Sequence, residues 1–148
     1  PASVGKGVTG YCITKNLNIN EEKNVFTLLS SFGKAIYLAN EALIDVVTAI
    51  SGSGPAYFFA FMEAMANKAK EFGFSEDVAN IMVQETAIGA AKMTFNKDKS
   101  FAELRENVTS PGGSTAAALN VFNNNNLQAT VNEALDAAVT RAQEMSEL

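Results

Sequence analysis

The chain has 148 residues, 47% of them hydrophobic and 18% charged, which fits one compact domain, or one domain plus a fragment of another, and excludes a disordered chain. A net charge of −5 argues against a nucleic-acid or anionic-membrane surface. The absence of histidine excludes His-based triads, His-ligated metals and the commonest general acid–base residue, while the single cysteine, Cys12, excludes an internal disulfide framework and suits a reducing cytoplasm.

Taken in order, residues 1–39 read differently from the rest. The chain begins at Pro1 in loop-like sequence, as a piece of a longer protein would. Val8 to Ile13 is β-like, with Val8, Tyr11, Cys12 and Ile13 following two glycines. Asn20 then caps a helix with Glu21 and Glu22 in its first turn and Val25, Leu28, Leu29 and Phe32 at helical spacing, and Gly33 ends it. Ala35 to Leu38 is a second short strand. Strand, helix, strand makes a βαβ unit too small to bury both faces of its sheet alone.

From Asn40 onward no strand is expected. Asn40 caps a short helix over Glu41 to Ile50, the Ser51-Gly52-Ser53-Gly54 stretch breaks it, and Pro55 takes the first position of a long helix to about Phe72. That helix is apolar on nearly every face, so it is buried on all sides or partly by another chain. No signal peptide is expected, nor an apolar run of membrane-spanning length, since Glu63 stops the greasiest run, Ala56 to Met62. Ser75 caps the next helix, to about Phe95, whose segment Ala87 to Ala91 is small enough for close helix packing. Ser100 and Glu103 form a capping box for a helix to Asn107. A helix from about Gly113 to Phe122, a polar turn at Asn123 to Asn126, and a last helix from Leu127 to about Met145 complete the chain. The expected fold is mainly α, a helical bundle preceded by the short βαβ unit.

Chemistry concentrates before the penultimate helix, in Val108-Thr109-Ser110-Pro111-Gly112-Gly113-Ser114-Thr115. Hydroxyls, a stiffening proline and two glycines lead straight into a helix start, where backbone N–H groups lack intrahelical partners and the macrodipole is positive. Such a loop suits a small carboxylate or phosphate. A plain N-cap with a Pro-Gly turn is the other reading, and both stay open. Ser51-Gly52-Ser53-Gly54-Pro55-Ala56 has the same grammar: it reads as a ligand-facing turn or as a Gly/Ser hinge, and it is not a dinucleotide fingerprint.

Together the motifs closely resemble pyrroline-5-carboxylate reductase: Thr48-Ala49-Ile50-Ser51-Gly52-Ser53-Gly54-Pro55-Ala56-Tyr57, then Gly89-Ala90-Ala91-Lys92-Met93, then Leu104 to Thr115 followed by Ala118-Leu119. The resemblance implies that residues 1–39 are the tail of a nucleotide-binding Rossmann domain, and that residues 40–148 are an all-helical dimerisation and substrate-binding domain. It further implies reduction of pyrroline-5-carboxylate to proline with NADP or NAD as cofactor, bound mostly by a domain outside this chain. The implied partner is a second copy, with assembly beyond the dimer left open, and the implied location is cytoplasmic, with no nucleic acid, membrane or metal. By position, Ser110, Gly112, Gly113, Ser114 and Thr115 would line the substrate, Thr115 would sit near the ring nitrogen, and Asn107 and Val108 would contact the cofactor. Hydride addition to an imine needs orientation, charge complementarity and one proton, which agrees with the lack of histidine.

Two rival readings accompany this one. The chain is a non-catalytic oligomerisation module whose glycine loops are mere turns, or it belongs to a hydroxy-acid dehydrogenase with a helical C-terminal domain, for which Lys92 is the one candidate of interest.

Overall fold

The computed structural model describes residues 1–95 and 98–146. The chain forms two compact units: Pro1–Tyr57 together with Asn132–Leu148, and Phe58–Val131. It is mainly α, and its two strands lie near the N-terminus.

In the first unit, β1 (Gly7–Tyr11), α1 (Ile19–Ser30) and β2 (Gly33–Tyr37) form the expected βαβ unit. The strands pair in parallel, Gly7 opposite Gly33 through Tyr11 opposite Tyr37. β1 starts one residue and β2 two residues earlier than the apolar pattern suggests, because the glycines belong to the ladder. Gly33 adopts φ 144°, and a Cβ there would collide with the Gly7 carbonyl oxygen, so bare backbones are needed where the strands begin. The cap of α1 is Asn18, not Asn20. Its side chain accepts from the amides of Asn20 and Glu21, at 3.0 and 3.1 Å, while its own amide donates to Glu21 at 2.8 Å. No strand residue is fully buried, and Phe26, Leu28, Phe32 and Ile36 remain exposed, so this small sheet has an uncovered apolar surface.

The link onward corrects the expected break. Asn40 caps a turn through the Ala42 amide (3.0 Å), and α2 (Leu43–Val47) runs into a π-helical turn, Thr48–Gly52, before α3 (Gly54–Glu71) begins. Ser51 and Gly52 thus belong to the wide turn, and the expected break shrinks to the single bend at Ser53. As a result Leu43–Glu71 forms one helical stretch, long and apolar enough by length and composition alone to cross a membrane, contrary to the expectation of none.

In the second unit, α3 is followed by Gly73 at φ 101° and then by α4 (Glu76–Met93), capped by Ser75. Ala66 and Ala69 of α3 cluster with Ala79 and Val83 of α4, with Met62 packed against them. These small side chains let the helices approach closely, and Ala79 is 0% exposed. On α3 itself, however, Phe58 is 71% and Phe59 66% exposed. The helix is not buried on all sides by its own chain. Helices α5 (Phe101–Asn107) and α6 (Ser114–Asn124) follow, and Phe122 of α6 meets Phe61 at 6.0 Å between ring centroids. The asparagine run ends α6, with Asn126 at φ 54°, and α7 (Leu127–Ser146) begins at once.

Candidate active site

The loop between α5 and α6 lies wholly within the second unit. Its entry is firmly held. The Ser100 hydroxyl accepts from the Glu103 amide at 3.2 Å, and the Ser100 amide and hydroxyl both donate to the Glu103 carboxylate at 2.7 Å. The backbone bond first, and the hydroxyl second, hold the Glu103 carboxyl below its ordinary value. At the other end of α5 the Thr109 hydroxyl donates to the Arg105 carbonyl at 2.6 Å, and the Thr109 amide to Glu106 at 3.0 Å. Thr109 is thus spent on closing the helix, which the pattern of four hydroxyls does not reveal.

Ser110 to Gly113 then form a tight turn, closed by the Gly113 amide on the Ser110 carbonyl at 3.0 Å. Pro111 in second place and Gly112 at φ 72° in third give it the type II pattern, in which only a glycine is at ease third. A Cβ on Gly113 would collide with Ser110 Oγ. Gly113 is the N-cap of α6 and has no side chain to close it. The first intrahelical bond runs from the Ala117 amide to the Gly113 carbonyl at 3.1 Å. The amides of Ser114, Thr115 and Ala116 ahead of it have no intrahelical acceptor.

Around this open helix end, Ser110, Gly112 and Ser114 are exposed, while Gly113 and Thr115 are half-buried. Among the described residues the hydroxyls of Ser110, Ser114 and Thr115 take part in no hydrogen bond. Three free hydroxyls and three free amides therefore surround the positive end of an 11-residue helix. That arrangement can receive a carboxylate on backbone donors and present a hydroxyl to a neighbouring polar atom. The turn preceding it is a Pro-Gly turn, and Gly113 caps the helix without a side chain, so the geometry fits the plain-cap reading as well as the anion-site reading. Asn107 and Val108 are exposed at the closing end of α5, open to a bulky neighbour. Lys92 is exposed in the last turn of α4, where a cation complements the helix dipole.

One feature escaped the sequence pattern. A cleft of about 550 Å³ opens beside the end of β1 in the first unit, between Tyr11, Lys15, Asn16, Glu22 and Tyr37. Its loop, Cys12 to Asn18, carries neither a glycine nor a repeated motif to signal it.

The family model described as pyrroline-5-carboxylate reductase dimerisation matches residues 41–145. A pyrroline-5-carboxylate reductase of Pasteurella multocida is 45% identical over 149 residues, spanning 100% of this chain and 54% of that protein. One of Pseudomonas aeruginosa is 42% identical, over 99% of this chain and 54% of its own length. Among solved structures, a pyrroline-5-carboxylate reductase from Coxiella burnetii superposes with a TM-score of 0.91 at 36% identity, covering 96% of this chain and 53% of that one. A Plasmodium falciparum pyrroline carboxylate reductase with NADP bound superposes at 0.86 and 34% identity, covering 96% and 54%. The chain spans about half the length of the curated relatives it matches.

Proposed function

The chain belongs to the pyrroline-5-carboxylate reductase dimerisation family, and from that premise we propose that it supplies the dimer interface and the substrate carboxylate site of an enzyme reducing pyrroline-5-carboxylate to proline. The observation that carries this reading is the uncapped start of α6, with its free amides and hydroxyls. Residues 1–39 are the tail of a nucleotide-binding domain and residues 40–148 the helical dimerisation and substrate domain. The uncovered apolar surface of the βαβ unit supports that division, as does a family match beginning at residue 41.

In this mechanism the amides of Ser114, Thr115 and Ala116 hold the substrate carboxylate, and the bare backbone of Gly112 and Gly113 lets it come close. Ser110 and Ser114 add hydroxyl donors at the rim. Thr115, half-buried as the second residue of α6, directs its hydroxyl to the ring nitrogen and relays a proton from water as the imine becomes an amine. The dinucleotide, when bound, supplies the hydride. Asn107 and Val108 contact it from this chain; their exposure beside the loop fits that role, and most of its binding falls to the rest of the protein. NADP in the Plasmodium relative supports a nicotinamide dinucleotide here without choosing between NADPH and NADH.

The exposed aromatic face of α3 is covered by a second copy rather than by lipid, since a polar Ser-Gly-Ser-Gly segment interrupts the apolar stretch about a third of the way along. A cytoplasmic location goes with this reading. The test is the full-length protein assayed for pyrroline-5-carboxylate-dependent oxidation of NADPH, with proline binding measured by calorimetry. Turnover together with proline binding is expected. A dimer that turns over nothing and ignores carboxylates would identify a non-catalytic oligomerisation module instead.

A further inference from the structure

The cleft beside the end of β1 has no part in the proposed reaction, and its walls carry a chemistry of their own. Tyr11 and Tyr37 are the last residues of the two strands and stand opposite each other in the parallel register. Their rings meet edge to face, with centroids 5.8 Å apart and planes at 65°. They make an aromatic wall at the carboxyl ends of the strands, the edge at which open α/β sheets receive ligands. At about 550 Å³ the cleft has the size of a small-molecule site.

Two opposite charges line it without meeting. Glu21 is spent on the cap of α1, where its carboxylate accepts from the Asn18 amide at 2.8 Å. Glu22, the next residue, lines the cleft instead, and so does Lys15. Among the described residues neither forms an ion pair or a side-chain hydrogen bond. The backbone adds donors: among the described residues the amides from Thr14 to Leu17 donate to no carbonyl or side chain. These charges select the ligand. A phosphate or a dinucleotide brings only negative charge to a single cation and is repelled by Glu22. A simple amine leaves Lys15 and the amides unused. A zwitterion satisfies both ends at once, and an apolar group on it has the tyrosine rings to lie against.

We propose that this cleft is a binding site for a free α-amino acid with an apolar side chain. Lys15 and the amides from Thr14 to Leu17 take its carboxylate, Glu22 takes its ammonium, and the Tyr11–Tyr37 wall takes its side chain. The site lies wholly within the first unit and does not depend on what the loop between α5 and α6 binds.

The experiment is calorimetry on the full-length protein with L-phenylalanine as the probe, beside N-acetyl-L-phenylalanine and L-phenylalaninamide, each of which lacks one of the two charges. Saturable binding of L-phenylalanine is expected, weakened about tenfold or more by the loss of either charge. Lys15→Gln and Glu22→Gln should each weaken it by a similar factor, with the melting temperature changed by no more than a few degrees. A folded Gly113→Val, which obstructs the other candidate site, should bind the probe as wild type does. No saturation by about 10 mM would overturn the proposal, as would equal binding of the N-acetyl derivative. So would a dissociation constant within about twofold of wild type in either charge variant. Loss of binding in a folded Gly113→Val would also overturn it, by moving the amino acid to the α5–α6 loop. Binding that follows Lys15 and Glu22 in a protein without reductase activity would uphold the cleft and defeat only the reductase reading.

Discussion

At the scale of single residues, Thr115 and Gly113 sit side by side at the start of α6 and do different work. The Thr115 hydroxyl is free and half-buried, so its loss should be felt where a proton moves. Thr115→Ala in the full-length enzyme is expected to lower kcat by about 10²–10⁴-fold with a smaller change in KM, water recovering part of the loss. Gly113→Val acts on binding: its Cβ falls on Ser110 Oγ and its branches obstruct the open amides. It is expected to raise KM and weaken proline binding, and a melting curve separates this from misfolding. Unchanged turnover in Thr115→Ala, or normal proline binding by a folded Gly113→Val, would return the loop to a simple turn. Ser110, Gly112 and Ser114 are candidates by their position in the motif that resembles the family's, since the pattern of hydroxyls and glycines alone marks only the loop. Thr109 belonged to the same run of hydroxyls, and its bond to Arg105 across one helical turn excluded it from the site.

At the scale of elements, the hydrogen bonds at helix ends decide where helices start. The Ser100–Glu103 box aligns α5, which leads into the candidate site, and Ser100→Ala should cost about 0.5–2 kcal/mol of stability, read from a denaturant melt. The cap should also depend on pH. A carboxylate held below its ordinary value in the folded protein contributes stability that is complete above the unfolded value and is lost as pH falls through the lowered one. Protection of the Leu104 amide, bonded to the Ser100 carbonyl at 3.0 Å, is therefore expected to fall as Glu103 protonates in acid. In Glu103→Gln that acid transition should be missing. The capping box was legible because serine, glutamate and their spacing are themselves the motif. The start of α1 was less so: Asn18 and Asn20 are both able caps, and the Glu21 side chain, reaching back to the Asn18 amide, chose the earlier one.

At the scale of the whole molecule, a single chain leaves large apolar side chains in water. Phe58 and Phe59 project from α3 into solvent, and Gly89 of α4 has open space where a Cβ would be. A second copy covering this surface would bury what the chain cannot. The protein is expected to be dimeric by light scattering at micromolar concentration. Phe58→Ala should weaken the dimer by about 1.5–3 kcal/mol, roughly tenfold or more in its dissociation constant. Phe61, which also meets Phe122 within the chain, should lose stability on truncation even in the separated monomer. Monomers at that concentration, or a Phe58→Ala dimer as tight as wild type, would show that the exposed face has another purpose.

What the sequence determined by itself was local: the succession of elements, the caps at Ser75 and Ser100, the βαβ beginning and the loop before α6. These follow from spacing, helix capping and turn chemistry, which act over a few residues and leave their mark in the order of side chains. Three matters waited for the tertiary structure. Thr48 to Gly52 formed a wide turn that reduced the expected break to one residue, with the Ala49 carbonyl accepting from the Tyr57 hydroxyl two turns away. The apolar α3 proved to be covered only in part, by the small residues of α4 and by Phe122 of α6, since burial depends on which surfaces meet. Thr109 turned away from the site while Thr115 stayed free, a choice made by helix geometry between two hydroxyls that look alike in the sequence.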